Sequence, residues 1–116
     1  MSSATWTYPA KVRRIVDGDT YSVDLDLGFR IWAHDQHIRL AGLDAPEDET
    51  PEGKAAAEFV TALLPVGADL TITTLHRDAS GTEVRSFERW VAHVHLADGR
   101  SLADVLRAAG YVKGAA

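Results

Sequence analysis

Residues 39–47 read RLAGLDAPE, and they mark the point where a run of strands gives way to a helix. Leu40, Ala41 and Leu43 make the apolar end of a strand, which Gly42 interrupts where a bulge or a close backbone approach would sit. Pro46 holds Ala45 extended and fixes its own φ near the helical value, so Asp44 and Glu47 are displayed on a stiff turn. A cation at Arg39, two carboxylates and a proline in one short passage suit a metal or phosphate site better than a folding need.

Upstream, Trp6, Tyr8, Ala10 and Val12 alternate with polar or small residues, the period of a half-buried strand, and Ile15 with Val16 shifts the phase before a turn. VDGDT at 16–20 sets Gly18 between Asp17 and Asp19, after which Tyr21, Val23, Leu25 and Leu27 alternate again, so a hairpin and a second strand are expected. Asp26, Leu27 and Gly28 form the next turn. Phe29, Ile31 and Ala33 then share one phase while Ile38 and Leu40 take the other, which implies a third strand with a bulge or bend near 34–37.

Downstream, the spacing changes at Gly53: Ala56, Phe59, Val60, Leu63 and Leu64 recur at three and four, and Pro65 with Gly67 ends the helix. Leu70, Ile72 and Thr74 make a fourth strand, 78–81 a turn, and 84–96 a fifth strand with Trp90, Ala92, Val94 and Leu96 in one phase. Asp98 and Gly99 turn the chain. Ser101 caps a last helix with Asp104 at the capping-box position, Leu102, Val105, Leu106 and Ala109 as the buried stripe, and Gly110 as the stop. The order βββαββα fits a small closed sheet better than a sandwich, because five strands fill two layers poorly. The expected fold is α+β dominated by β: a five-stranded oligonucleotide-binding (OB-fold) barrel with two helices, as one domain over 1–116.

A hydrophobic share of 46% beside 25% charged residues is that of a soluble domain. The opening MSSATWTYPA is neither basic nor apolar, so neither a secretory signal nor a membrane span is expected and the cytoplasm is the default location. The absence of cysteine excludes disulfides and thiolate zinc sites. A formal charge of −5 argues against a simple nucleic-acid coat protein, which would draw on Lys and Arg. The acids crowd into 44–52 while Lys11, Arg13, Arg14, Arg77, Arg85 and Arg89 lie elsewhere, so any basic face is local.

Asp17 reads as a turn aspartate that satisfies a backbone amide. Asp19 differs: it opens one strand while Asp44 leaves another, and together they could give oxygen ligands to a hard cation. Asp48, Glu49 and Glu52 read as the solvated, favourable approach to a helix. Arg39 and Arg89 sit in apolar strands, where a charge needs either a carboxylate partner or a function. His34 and His37 lack a cysteine or a third nearby ligand to complete a metal site. His93 and His95 share a strand face and are expected as partly buried barrel residues.

Taken together, VDGDT at 16–20, IRLAGLDAPE at 38–47 and RSFERWVAHV at 85–94 resemble the staphylococcal nuclease, or thermonuclease, family in order and spacing across nearly the whole chain. The resemblance implies the barrel just described, a calcium cofactor, and hydrolysis of DNA and RNA phosphodiesters to 3′-phosphate ends by a monomer that has no need of a membrane. It implies Asp19 and Asp44 as calcium carboxylates, and Ala45, standing where the family commonly has threonine, as a ligand through its carbonyl. It also implies Glu47 as the group that orients or deprotonates the attacking water, and Arg39 and Arg89 as phosphate-binding arginines. Ser86, Phe87 and Glu88 replace the lysine, tyrosine and glycine of the best-known members, and the chain ends at Ala116 without a counterpart to their further helix and its tyrosines, so a minimal version is expected. Two rivals stand beside the enzyme: a non-catalytic module that holds nucleic acid or protein, and a structural ion-pair network of Arg39, Glu47 and Arg89.

Overall fold

The computed structural model describes residues 6–43, 50–74 and 90–112, together with the backbone of 85–86 and 89. Strand β1 (Thr7–Asp17) turns through Gly18 and Asp19 into β2 (Thr20–Asp26), with Asp17 paired to Thr20. Ala10 and Val12 are buried between exposed Lys11 and Arg13, as alternation requires. Extra β1 residues between Val12 and Arg14 and between Ile15 and Asp17 then reset the phase, so Ile15 packs on the core despite its odd spacing from Val12.

β3 (Trp32–Leu40) begins later than the alternation from Phe29 suggests. Gly28, Phe29 and Arg30 all have positive φ, and the chain reverses through Leu27 N–H to Ile31 C=O at 2.9 Å. Phe29, 97% exposed, and Ile31 therefore belong to a turn, because a strand needs extended backbone and apolar alternation alone does not supply it. The bulge expected near 34–37 is present: one extra β3 residue lies between the pairs Val23↔Gln36 and Leu25↔Ala33, and Asp35 there has φ 55°.

Helix α1 (Pro51–Leu63) starts ahead of Gly53 because Thr50 caps it, its hydroxyl accepting the Gly53 amide at 3.0 Å, and because proline suits the first helical position. Ala56, Val60 and Leu64 are buried, with Phe59 and Leu63 packed beside them. β4 (Asp69–Thr74) follows as expected. The strand expected unbroken over 84–96 is divided: β5 (Arg85–Ser86) folds back antiparallel on β6 (Arg89–Leu96), pairing Arg85 with Trp90 and Ser86 with Arg89. A period of two survives on each arm of a reversal, so periodicity did not reveal it; 87–88, like the turn expected at 78–81, lie outside the described residues. α2 (Leu102–Ala108) is capped by Ser101, whose hydroxyl accepts the Asp104 amide at 3.4 Å. Its buried residues are Leu102, Ala103 and Leu106; Ala109 is the exposed C-cap, so Ala103 takes the place in the stripe that spacing had assigned to it.

The sheet runs β3-β2-β1-β4-β6 and closes where β3 pairs parallel to β6, at Ile38↔Trp90, Arg39↔Val91 and Leu40↔Ala92. The result is a closed, mixed, five-stranded barrel of OB type with two helices. Its interior holds Tyr21, Val23, Ile38, Ile72 and Val94, onto which α2 lays Leu102 and Leu106. Each such side chain contributes about 1.5–3 kcal/mol on leaving water. Among the described residues no helix is long and apolar enough to cross a membrane.

Candidate active site at the mouth of the β1–β2 hairpin

Asp19 and Arg39 are far apart in sequence, and the register of β2 against β3 brings them together. Thr20 pairs with Arg39, and the Leu40 amide donates to the Asp19 carbonyl at 2.8 Å, so the hairpin tip lies along the end of β3. Arg39 Nη2 then stands 3.6 Å from Asp19 Oδ2, with the two side chains 28% and 14% exposed. The Thr20 hydroxyl donates to Asp19 Oδ1 at 3.3 Å.

The turn that carries Asp19 is held from both sides. Asp17 Oδ1 accepts the Asp19 amide at 3.1 Å, the turn role expected of Asp17, and the buried Tyr21 hydroxyl donates to the Gly18 carbonyl at 2.6 Å. Burial first, and the charges of Asp19 and Asp17 next, push the Tyr21 phenol well above its ordinary value of 10.0, so it remains a donor across the physiological range.

Past Arg39 the chain is fastened again before it leaves the barrel. The Ala41 amide donates to the Ala92 carbonyl at 2.8 Å, Gly42 turns with φ 83°, and Leu43 joins the core. A cleft of about 430 Å³ opens here, lined by residues 39–43 with Val91 and His93. His93 is exposed and His95 half-buried, so the expectation that both would be partly buried holds for His95 alone. With Trp90, Ala92, Val94 and Leu96 in the inward phase, residues 93 and 95 both face out, so the alternation does not separate them.

Arg89 opens β6, two residues before Val91, the register partner of Arg39. Asp44, Ala45 and Glu47 lie outside the described residues. No family model matches the chain, and no curated protein does. A second cavity of about 200 Å³, lined by Leu25, Leu27, Ile38, Ile72 and Trp90 among others, has no charged group among the described residues to offer a phosphodiester.

The donor chemistry suits a hard cation. Asp19 supplies a carboxylate oxygen beside a turn, and Asp44 with the Ala45 carbonyl would add oxygens only, the set that calcium takes. Among the described residues no group of three or more His, Asp or Glu side chains converges on a metal-sized site, so the fit rests on Asp19 together with the 44–47 stretch.

His34 and His37 do not converge. His34 Nδ1 lies 3.2 Å from Asp24 Oδ1 on β2 and His37 Nε2 lies 3.5 Å from Asp35 Oδ1 on the β3 bulge, each histidine beside its own carboxylate. The Asp35 amide, first, and then His34 and Arg13 hold Asp24 below its ordinary 3.8, while the Ser22 hydroxyl, first, and His37 do the same for Asp35. A carboxyl whose pKa is depressed on folding stabilises the fold above its unfolded value and loses that contribution as pH falls through the folded one. Asp24→Asn is therefore expected to lower the melting temperature at neutral pH, by an amount that shrinks when the same melt is run at acid pH, below the ordinary carboxylate value of 3.8. An equal deficit at both pH values would overturn this account of the bulge.

Proposed function

We propose that the protein is a calcium-dependent nuclease that hydrolyses nucleic-acid phosphodiesters to 3′-phosphate ends. The observation that carries the reading is the pairing of Asp19 with Arg39 at 3.6 Å, beside the turn that leads into Asp44. A carboxylate suited to a cation and a guanidinium suited to a phosphate thus share one end of the barrel, as the resemblance requires. Asp19, Asp44 and the Ala45 carbonyl would hold the calcium, which would supply positive charge against the phosphoryl oxygens and make water more acidic.

The chain's own residues would do the rest. Glu47 takes the proton of the attacking water as its oxygen bonds to phosphorus, and the bond from phosphorus to the 5′-oxygen breaks. Arg39 and Arg89 offer forked donors to the phosphoryl oxygens, where charge grows in the transition state. The 5′-oxygen takes a proton from water and leaves as an alcohol, and the hydroxide so formed takes the proton from Glu47, restoring its carboxylate.

A non-catalytic module is favoured by the formal charge of −5 and by Ser86, Phe87 and Glu88 in place of the lysine, tyrosine and glycine of the best-known members. Incubating the purified chain with labelled single-stranded DNA, in calcium or in excess chelator, separates the two. Cleavage that appears with calcium and stops with chelator is the expected result; equal cleavage in both removes the metal assignment, and binding without cleavage in either condition leaves the module.

A further inference from the structure

The outer face of β3 carries four side chains, and the proposed chemistry uses only the one at its end. Ile38 and Leu40 are buried, so His37 and Arg39 point out of the barrel. The extra residue of the bulge shifts the phase, and Trp32 and His34 join the same face. Two contacts fix them there. His34 Nδ1 lies 3.2 Å from Asp24 Oδ1, and Asp24 stands on β2 between Val23 and Leu25, which face the core. The Trp32 and His34 rings then stack, their centroids 6.4 Å apart and their planes within 9°. Trp32 is 39% exposed and the His34 side chain 65%.

We propose that the Trp32–His34 stack is a base-stacking platform for single-stranded nucleic acid that enters the cleft at Arg39 and lies along the outer face of β3. The ligand class and the role of Arg39 rest on the nuclease reading; the platform rests on the geometry above. Arg39 lines the cleft of about 430 Å³, and from it to Trp32 the strand runs about 20 Å. A strand whose phosphate sits at Arg39 extends beyond that cleft, and β3 leads from it to the rings without leaving one face of the sheet.

The chemistry of this face suits bases better than phosphates. Its carboxylates are already met: Arg13 Nη1 stands 3.2 Å from Asp24, the Ser22 hydroxyl donates to Asp35, and Asp26 accepts the Gly28 amide at 2.9 Å. With a formal charge of −5, the chain has few cations to set along a phosphate backbone. A flat ring needs no charge. Every base has a π-face, so stacking tolerates any sequence and adds affinity where phosphate contacts are scarce.

The test is fluorescence anisotropy of labelled thymidine oligonucleotides in excess chelator, with a thermal melt of each variant. Trp32→Ala is expected to weaken binding of a decanucleotide by at least about fivefold, the loss that follows removal of a stacking ring. Trp32→Phe keeps a flat ring and should recover most of the affinity. A decanucleotide backbone stripped of its bases should bind wild type and Trp32→Ala alike, and so should a dinucleotide, which is too short to reach from Arg39 to Trp32. In calcium, Trp32→Ala should raise KM for the decanucleotide by the same factor with kcat near that of the wild type. Val66→Ala is the control for loss of an exposed apolar group: Val66 is 79% exposed between α1 and β4, and its loss should leave binding unchanged. Wild-type affinity in Trp32→Ala, an equal loss on the baseless strand or an equal loss in Val66→Ala overturns the inference and leaves the nuclease reading standing. A wild type that binds the decanucleotide through Trp32 but cuts nothing in calcium supports the platform and removes the nuclease. A wild type that binds no decanucleotide overturns the platform.

Discussion

Glu47→Gln is expected to lose cleavage by at least about 10²-fold while keeping the wild-type melting temperature and calcium-dependent nucleotide binding. Glutamine preserves the size and hydrogen-bonding reach of the side chain and removes its capacity to take a proton, and general-base catalysis is typically worth about 10²- to 10⁴-fold. The structural alternative, in which Glu47 is a corner of an ion-pair network with Arg39 and Arg89, predicts the opposite pattern. There the substitution leaves positive charge under-compensated and lowers the melting temperature. A rate measurement on labelled single-stranded DNA and a thermal melt on the same preparation decide between them. A variant that melts much earlier, or that cuts as fast as the wild type, removes Glu47 as the base.

Arg39→Ala should slow cleavage by about 10²- to 10³-fold, the usual loss when a donor aimed at developing charge is removed. Arg39→Lys keeps the charge but not the fork, and should recover only part of the rate. Stability responds much less, because the pair with Asp19 is 3.6 Å long and Arg39 is partly solvated: a loss of about 1 kcal/mol is expected. A double-mutant cycle with Asp19→Asn reports the coupling between them. If the pair is merely structural, the single changes destabilise and the double change restores much of the loss, with no effect on cleavage. Wild-type cleavage by Arg39→Ala would remove Arg39 from the phosphate site.

What the sequence determined by itself is whatever depends on neighbours along the chain. The VDGDT turn, the inward phase of Tyr21 and Val23, the Ser101 cap and the stripe of α1 follow from period, turn chemistry and capping, which act over a few residues. Those local rules and the order of elements were enough to anticipate the barrel. They misread Phe29 and Ile31, because alternation persists through a turn whose left-handed backbone it cannot reveal, and they joined β5 to β6, because each arm of a reversal keeps the same period. Tertiary structure alone decided which residues meet. Arg39 was legible as a charge in need of a partner, but Asp19 became that partner only through the register of β2 on β3. No motif or spacing singles out Arg107, and its bond to Gly42 exists because α2 packs across a barrel closed by β3 and β6. A contact between residues distant in the chain is fixed by the packing of whole elements, so no local pattern of residues records it.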